Sequence, residues 1–453
     1  MTEASERRDT MKKNIENIAV LIVFLCLSLM TGCANKMNET DTTEILNTDY
    51  QYAFEDTGVS PKFYKTAKGY YFTSGKFIYY LDGKTMKYTP VCNKPDCLHD
   101  RQTDYYESDK CNACIRGQES PVTEGIGYYN GYIYYQESVG DSFDRHYVIS
   151  RLAADGSSKD IIVDDEDIKN TPYRLIVHRG YLYYTKNKYI LTDKKDRNGN
   201  IIMDNETGVY KIDLDSREMK PELFLSKDEM MRSDGSAIPV PMQIRACGDH
   251  ILTEIWVQNS VDSDEKGSST SVNEHYYLSK NISTKAVTDL SKIDPSGNNY
   301  YIDDSRLLFF PTNEPDDLYA VNPDGTNPKK VFTRDTPSAG TEEYFGLDES
   351  YYYLYSYKTA KDEDTGLDLP TGTNILKIYS KDFKLLNTVN IDLNINGEKL
   401  RFYDIGFSYG DKLMVYTYVY NNDATFDFFL GYIPKEELLK KDGDMTIRMI
   451  MGD

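Results

Sequence analysis

An all-β fold, with repeated antiparallel sheets packed radially into a β-propeller, is what three features of this chain predict. A short unit recurs along it, forty tyrosines stand against a single tryptophan, and sustained helical periodicity is nearly absent. The unit is a glycine or aspartate turn followed by an unbroken apolar and aromatic strand, as in Gly75 to Tyr80 (GKFIYY), Gly131 to Tyr135 (GYIYY) and Gly180 to Tyr184 (GYLYY). Weaker copies begin at Gly248, Asp304, Asp348 and Gly410, so the anchors are 56, 49, 68, 56, 44 and 62 residues apart. A period of this size with one strand pattern per copy signals a repeat architecture. Strands without clean alternation are covered on both faces, and blades stacked around an axis cover them so. Seven copies predict seven blades, with six or eight open because weak copies are easily miscounted.

Tyrosine suits such strands, since the ring packs in the sheet while the hydroxyl reaches water or a partner. A Tyr-lined carbohydrate surface is the sharper alternative. Asp-Gly pairs after the later strands, at Asp155-Gly156 and Asp324-Gly325, predict hairpin tips of type I′. Only Lys435 to Lys441 reads as helix.

The amino terminus predicts export. Lys12 and Lys13 precede an apolar run from Ile18 to Met30, long enough for a signal and too short to span a bilayer. It ends in Leu29-Met30-Thr31-Gly32-Cys33, which resembles a bacterial lipobox, with Met30 where Leu is preferred. Residues 1–32 then form a signal peptide, with translation expected to start at Met11 rather than Met1. Cys33 is the lipidated residue, and 33–59 form a polar tether. Residues 60–453 form one propeller domain with a Cys/His-rich insertion at 91–115. Several acyl chains give stable attachment where one is marginal, so the expected location is the outer face of the cell membrane. A net charge of −21, unchanged by removal of the signal, excludes nucleic acid as a partner and opposes lying flat on anionic lipid.

The insertion holds Cys92-Asn-Lys-Pro-Asp-Cys97-Leu-His99 and Cys111-Asn-Ala-Cys114. Thiolates and an imidazole at these spacings can close a tetrahedral zinc site. The same thiols could instead pair as two disulfides, as exported chains allow, or stay free. Either bonded role is structural, because four protein ligands leave no open position for catalysis. Cys247, alone beside a strand, is expected to be buried and inert.

The strand patterns, with segments such as Leu318-Tyr-Ala-Val-Asn-Pro-Asp-Gly-Thr326, resemble TolB-like and low-density-lipoprotein-receptor-like propellers. More closely, the chain resembles a family of exported lipoproteins of Gram-positive bacteria, over roughly residues 60 to 435. The resemblance implies architecture and compartment and no activity. It also implies a shared Cys-x-Lys-Pro-x-Cys-x-His segment, matched here by Cys92, Cys97, His99 and Cys111, with Cys114 as an extra thiol or substitute ligand.

Other signals carry little. Gly406-Phe-Ser408-Tyr-Gly410 has the nucleophile-elbow pattern but is followed by a strand where that motif needs a helix. Asp193 to Ile201 resembles a calcium loop lacking its first ligand and its closing glutamate, and Val163 to Asp167 reads as an acidic loop. His146, His178, His250 and His275 share no spacing. The expected function is a non-catalytic surface propeller binding a peptide, glycan or partner protein. Connections at 136–146, 192–206, 259–273 and 357–372 are expected to line its ligand surface, whether or not they share one face. The alternatives are an extracellular hydrolase or lyase acting on polysaccharide or peptide, and an envelope assembly or sensing component.

Overall fold

The computed structural model describes residues 63–452, apart from 75, 98, 100–109, 118–124, 141–144, 166–173, 196–200, 232–237, 261–270, 295–299, 336–340, 362–367, 392–393, 396–397, 400, 421–425, 441–444 and 446. The signal, Cys33 and the tether lie outside these residues. Seven four-stranded antiparallel meanders follow one another along the chain. Blade 1 runs from Phe63 to Pro90, blade 2 from Ile126 to Asp164, blade 3 from Leu175 to Ser226 and blade 4 from Ile238 to Asp289. Blade 5 spans Tyr301 to Thr333, blade 6 Thr341 to Ile391 and blade 7 Arg401 to Gly452. Helix is confined, among the described residues, to single turns at Lys227–Met230, Leu290–Lys292 and Lys435–Leu438.

First strands of neighbouring blades approach one another, while fourth strands such as Lys329–Thr333 are largely exposed. The first strands therefore lie innermost. The unbroken aromatic runs are explained by where alternate residues go, since successive side chains in a strand point to opposite faces. Tyr352 and Leu354 pack against blade 5, whereas Tyr353 packs against blade 7. Seven apolar clusters fill seven seams in this way, and the last joins Phe63, Phe72 and Tyr79 of blade 1 to Met414, Leu430 and Met451 of blade 7. The circle is closed by this packing without exchange of a strand. Nine tyrosines are among the eleven largest fully buried side chains of the described residues, so tyrosine supplies much of the core.

The copies are as expected in number but not all in register. Gly131, Gly180, Gly248, Asp304, Asp348 and Gly410 lie between first and second strands, whereas Gly75, itself outside the described residues, falls between the second strand Gly69–Ser74 and the third strand Phe77–Asp82. The equivalent strand of blade 1 starts at Gly69, and the two aromatic runs of this hairpin are alike enough to be exchanged. The turn chemistry also differs. Positive φ at both central residues, the type I′ signature, occurs at Asn130-Gly131 and Arg179-Gly180. At Asp155-Gly156 and Asp324-Gly325 only the glycine is left-handed. There the aspartate Oδ1 accepts a bond from the amide two residues on, and this local closure replaces a two-residue turn.

In a meander the connection from second to third strand leaves every blade at the same end. The connections expected to line a ligand surface are all of this kind, so they share one face. Much of what reads as loop is strand. Tyr181–Lys195 pairs with Ile201–Asp213, His250–Ser260 with Ser271–Asn281, and Tyr351–Lys361 with Asp368–Ser380. The outer halves of the blade 4 and blade 6 hairpins are mostly polar and carry no apolar pattern to betray them.

Candidate functional site

The Cys/His insertion sits at the seam of blades 1 and 2. Ala113 and Ile115 lie antiparallel beside the start of the third strand of blade 1, with Ala113 O accepting the Ile78 amide and the Ile115 amide donating to Lys76 O, and Arg116 O accepts the Ser138 amide of blade 2. Asn112 Nδ2 donates to Gly156 O at 2.7 Å. Gly156 must be glycine, because its φ is +73° and a Cβ would stand 2.7 Å from Cys92 Cα. Beneath the insertion Glu137 is fully enclosed and meets Arg116 Nη2 at 2.7 Å, Lys159 Nζ at 2.7 Å and Ser150 Oγ at 2.6 Å.

This docking brings Cys92, Cys97, His99 and Cys111 together, with one ligand atom from each lying within 4.8 Å of all the others. The ligand atoms of a tetrahedral zinc ion stand about 3.5–4 Å apart, so a small inward shift closes the set. Two observations fit a cation. His99 Nε2 is buried without a hydrogen-bond partner, and His99 holds a left-handed backbone at φ 52°. Burial raises the Cys92 thiol, but the amides of Lys94 and Asn112 and the side chains of His99 and Cys111 outweigh it and bring it down to about 6. Cys111 is pushed up by burial and by the neighbouring thiols. Cys114 stays outside the group, its thiol directed to Ile115 O and raised by burial. All five described cysteines are free thiols, and Cys247 is buried against Asp304 O as expected.

The other sequence signals disperse. Ser408 lies in the strand Arg401–Tyr409, which turns at Gly410 into another strand. The calcium-like segment belongs to the hairpin of blade 3, with 196–200 outside the described residues. His146 meets Asp164 of the acidic loop at 2.8 Å, and His178 meets Gly248 O across the seam of blades 3 and 4.

His275 is the exception, and its spacing gave no hint of it. It lies opposite Trp256 in the long hairpin of blade 4, with Nδ1 3.6 Å from Glu254 Oε1, and Trp256 Nε1 donates to that same oxygen at 2.8 Å. Glu254 is buried, while the His275 and Trp256 rings are each 43% exposed. Leu252, Glu254 and Trp256 alternate along one strand face, and Leu252 packs toward blade 5. Blade 5 has strands of at most five residues against eleven in the blade 4 hairpin, so it leaves the outer part of this face uncovered. From blade 6, Glu343 faces the same short blade, two residues before Phe345 of the shared seam, and pairs with Arg334 Nη1 at 3.3 Å. Burial raises its carboxyl against the pull of Arg334 and Lys377. Only the cross-strand register of the blade 4 hairpin brings Glu254, Trp256 and His275 together.

No family model matches the chain, and no curated protein matches it. The TolB-like and lipoprotein-family resemblances therefore gain no support beyond the propeller itself. Among solved structures, the chain is similar to an oligogalacturonate lyase in complex with manganese, at 11% identity and TM-score 0.38, covering 86% of this chain and 85% of that one. It is similar to a PL25 ulvan lyase, at 12% identity and TM-score 0.34, over 89% and 87%. A GH93 α-L-arabinofuranosidase of Fusarium graminearum matches at 9% identity and TM-score 0.34, over 74% and 96%. These likenesses are of fold alone. The expectation of a non-catalytic propeller is corrected to this extent: the solved structures just named are of enzymes, so the lack of a sequence motif does not exclude catalysis.

Proposed function

We propose that the chain is an exported propeller, tethered to the outer face of the membrane through Cys33, that acts on polysaccharide as a hydrolase or lyase. The observation that carries this reading is the end bearing the long hairpins. There the lone tryptophan of the chain is exposed beside an imidazole and a buried carboxylate, and aromatic faces with adjacent polar groups suit a sugar ring. The Cys92, Cys97, His99 and Cys111 group holds one structural zinc ion in this proposal. Thiolates and imidazole suit that ion, and four protein ligands leave no position for a reacting water. The zinc staples the insertion across the seam of blades 1 and 2 and takes no part in turnover. Release of new chain ends from a panel of neutral and acidic polysaccharides by the purified mature chain tests the activity. A chain that neither binds nor cuts any of them contradicts it.

A further inference from the structure

We propose that His275, Glu254 and Trp256 of blade 4 form the active site of a lyase that cleaves a uronate-containing polysaccharide by β-elimination, with Arg245 holding the uronate carboxylate. This rests on the polysaccharide reading above and narrows it to one substrate class.

Four observations converge on the same face of blade 4. His275 Nδ1 stands 3.6 Å from the buried Glu254 Oε1, an approach that would orient a ring proton toward the carboxylate and leave Nε2 as the nitrogen for a substrate proton. Trp256 is fixed by its Nε1–H bond to Glu254 and keeps an exposed ring as a platform for one sugar. Arg245 lies opposite Leu252 on the adjoining strand, with its guanidinium 5.9 Å from the centre of the Tyr277 ring, and Tyr277 is the cross-strand neighbour of Glu254. Its Nη2 is buried and has no hydrogen-bond partner, so one donor on this face has its bonding capacity unused. Such a donor seeks an anionic oxygen, and a uronate supplies one.

The reaction follows from the residue types. Glycoside hydrolysis is usually run by two carboxylates flanking the bond, whereas this group offers one carboxylate and an imidazole. Imidazole is the stronger base, about two pK units above a carboxylate, and a proton on carbon demands one. His275 Nε2 takes the proton from the carbon bearing the carboxylate. That C–H electron pair becomes the double bond to the adjacent carbon, whose bond to the glycosidic oxygen breaks with its electrons on that oxygen. The imidazolium returns the proton to the departing oxygen. Charge building on the carboxylate oxygens is met by Arg245. No water or oxidant is consumed, and the products are an unsaturated uronate end and a chain with a free hydroxyl. Glu254 is a positioning residue, since it acts through the imidazole. A chain of net charge −21 repels a polyanion, so added salt speeds capture at sub-saturating substrate.

The test uses the mature chain with its metal retained, offered polygalacturonate, alginate and chondroitin sulfate beside neutral xylan and β-glucan. Ultraviolet absorbance of the unsaturated uronate and total reducing ends are followed together. The expected result is absorbance in step with reducing ends on at least one uronate polymer. His275→Gln should lower kcat by about 10²–10⁴-fold with KM little changed. Glu254→Gln should lower kcat with KM and the melting point retained, and Trp256→Ala should mainly raise KM. Reducing ends without the absorbance, or a His275→Gln variant at full rate, overturn this site while leaving the polysaccharide reading standing. Absence of both binding and cleavage on every polymer overturns the two together.

Discussion

Replacing Glu137 by glutamine keeps its shape and removes its charge, and the structure sets how much that should cost. The carboxylate is enclosed, and its contacts to Arg116 and Lys159 are both 2.7 Å. Lys159 is itself nearly buried, so the variant strands a cation with no counter-charge. Breaking a buried pair from one side costs about 3–5 kcal/mol. The loss should appear as a lower urea midpoint at fixed zinc, and because Arg116 anchors the insertion, zinc should also bind more weakly. The double variant Glu137→Gln/Lys159→Met should recover much of the loss, since a buried pair exchanged for apolar volume is often neutral. Burial raises the Glu137 carboxyl, but Lys159 and Arg116 outweigh it and hold it below its ordinary range. Its stabilisation is therefore complete above the unfolded carboxylate value of about 4.3 and lost as pH falls through the lower folded value. The glutamine variant should be flatter than the parent across that acid window. A single-variant loss below about 1 kcal/mol, or a double variant worse than the single, would refute the reasoning.

Three further outcomes follow from the same structure. Gly156→Ala places a methyl 2.7–2.8 Å from the Cys92 and Asn93 backbone at positive φ, so strain of about 1–2 kcal/mol and overpacking of about 1–3 kcal/mol should lower the melting point and zinc affinity together. Cys111→Ser should lose zinc on metal analysis, whereas Cys114→Ser should keep about one ion per chain. Cys33→Ala should release the chain from membranes to the medium, read by fractionation, and an unchanged membrane fraction would remove the lipid anchor.

The fold was legible because each blade repeats its aromatic run, and because a run buried on both faces leaves no alternation to misread. Blade 1 shows where that legibility stops: GYYFTS and FIYYLD look alike, and only pairing with Phe63–Lys65 tells second strand from third. The thiol cluster was legible because its residues fall within one short insertion. The resemblance already set Cys114 aside, and the structure supplies the reason, since Cys114 is held by its bridge to Phe77. The Glu254–His275 pair was invisible, because its members lie twenty-one residues apart and meet only through the register of a hairpin whose outer half is polar. Glu137 was equally hidden, its partners coming from the insertion and from the fourth strand of blade 2.

Trp256 is the only tryptophan of the chain, so its fluorescence reports on one place. Titrating the mature chain with an acidic oligosaccharide should change that emission in a saturable manner, with a midpoint equal to the dissociation constant from calorimetry. Calorimetric binding that leaves the emission untouched would place the ligand elsewhere on the ring and contradict the account.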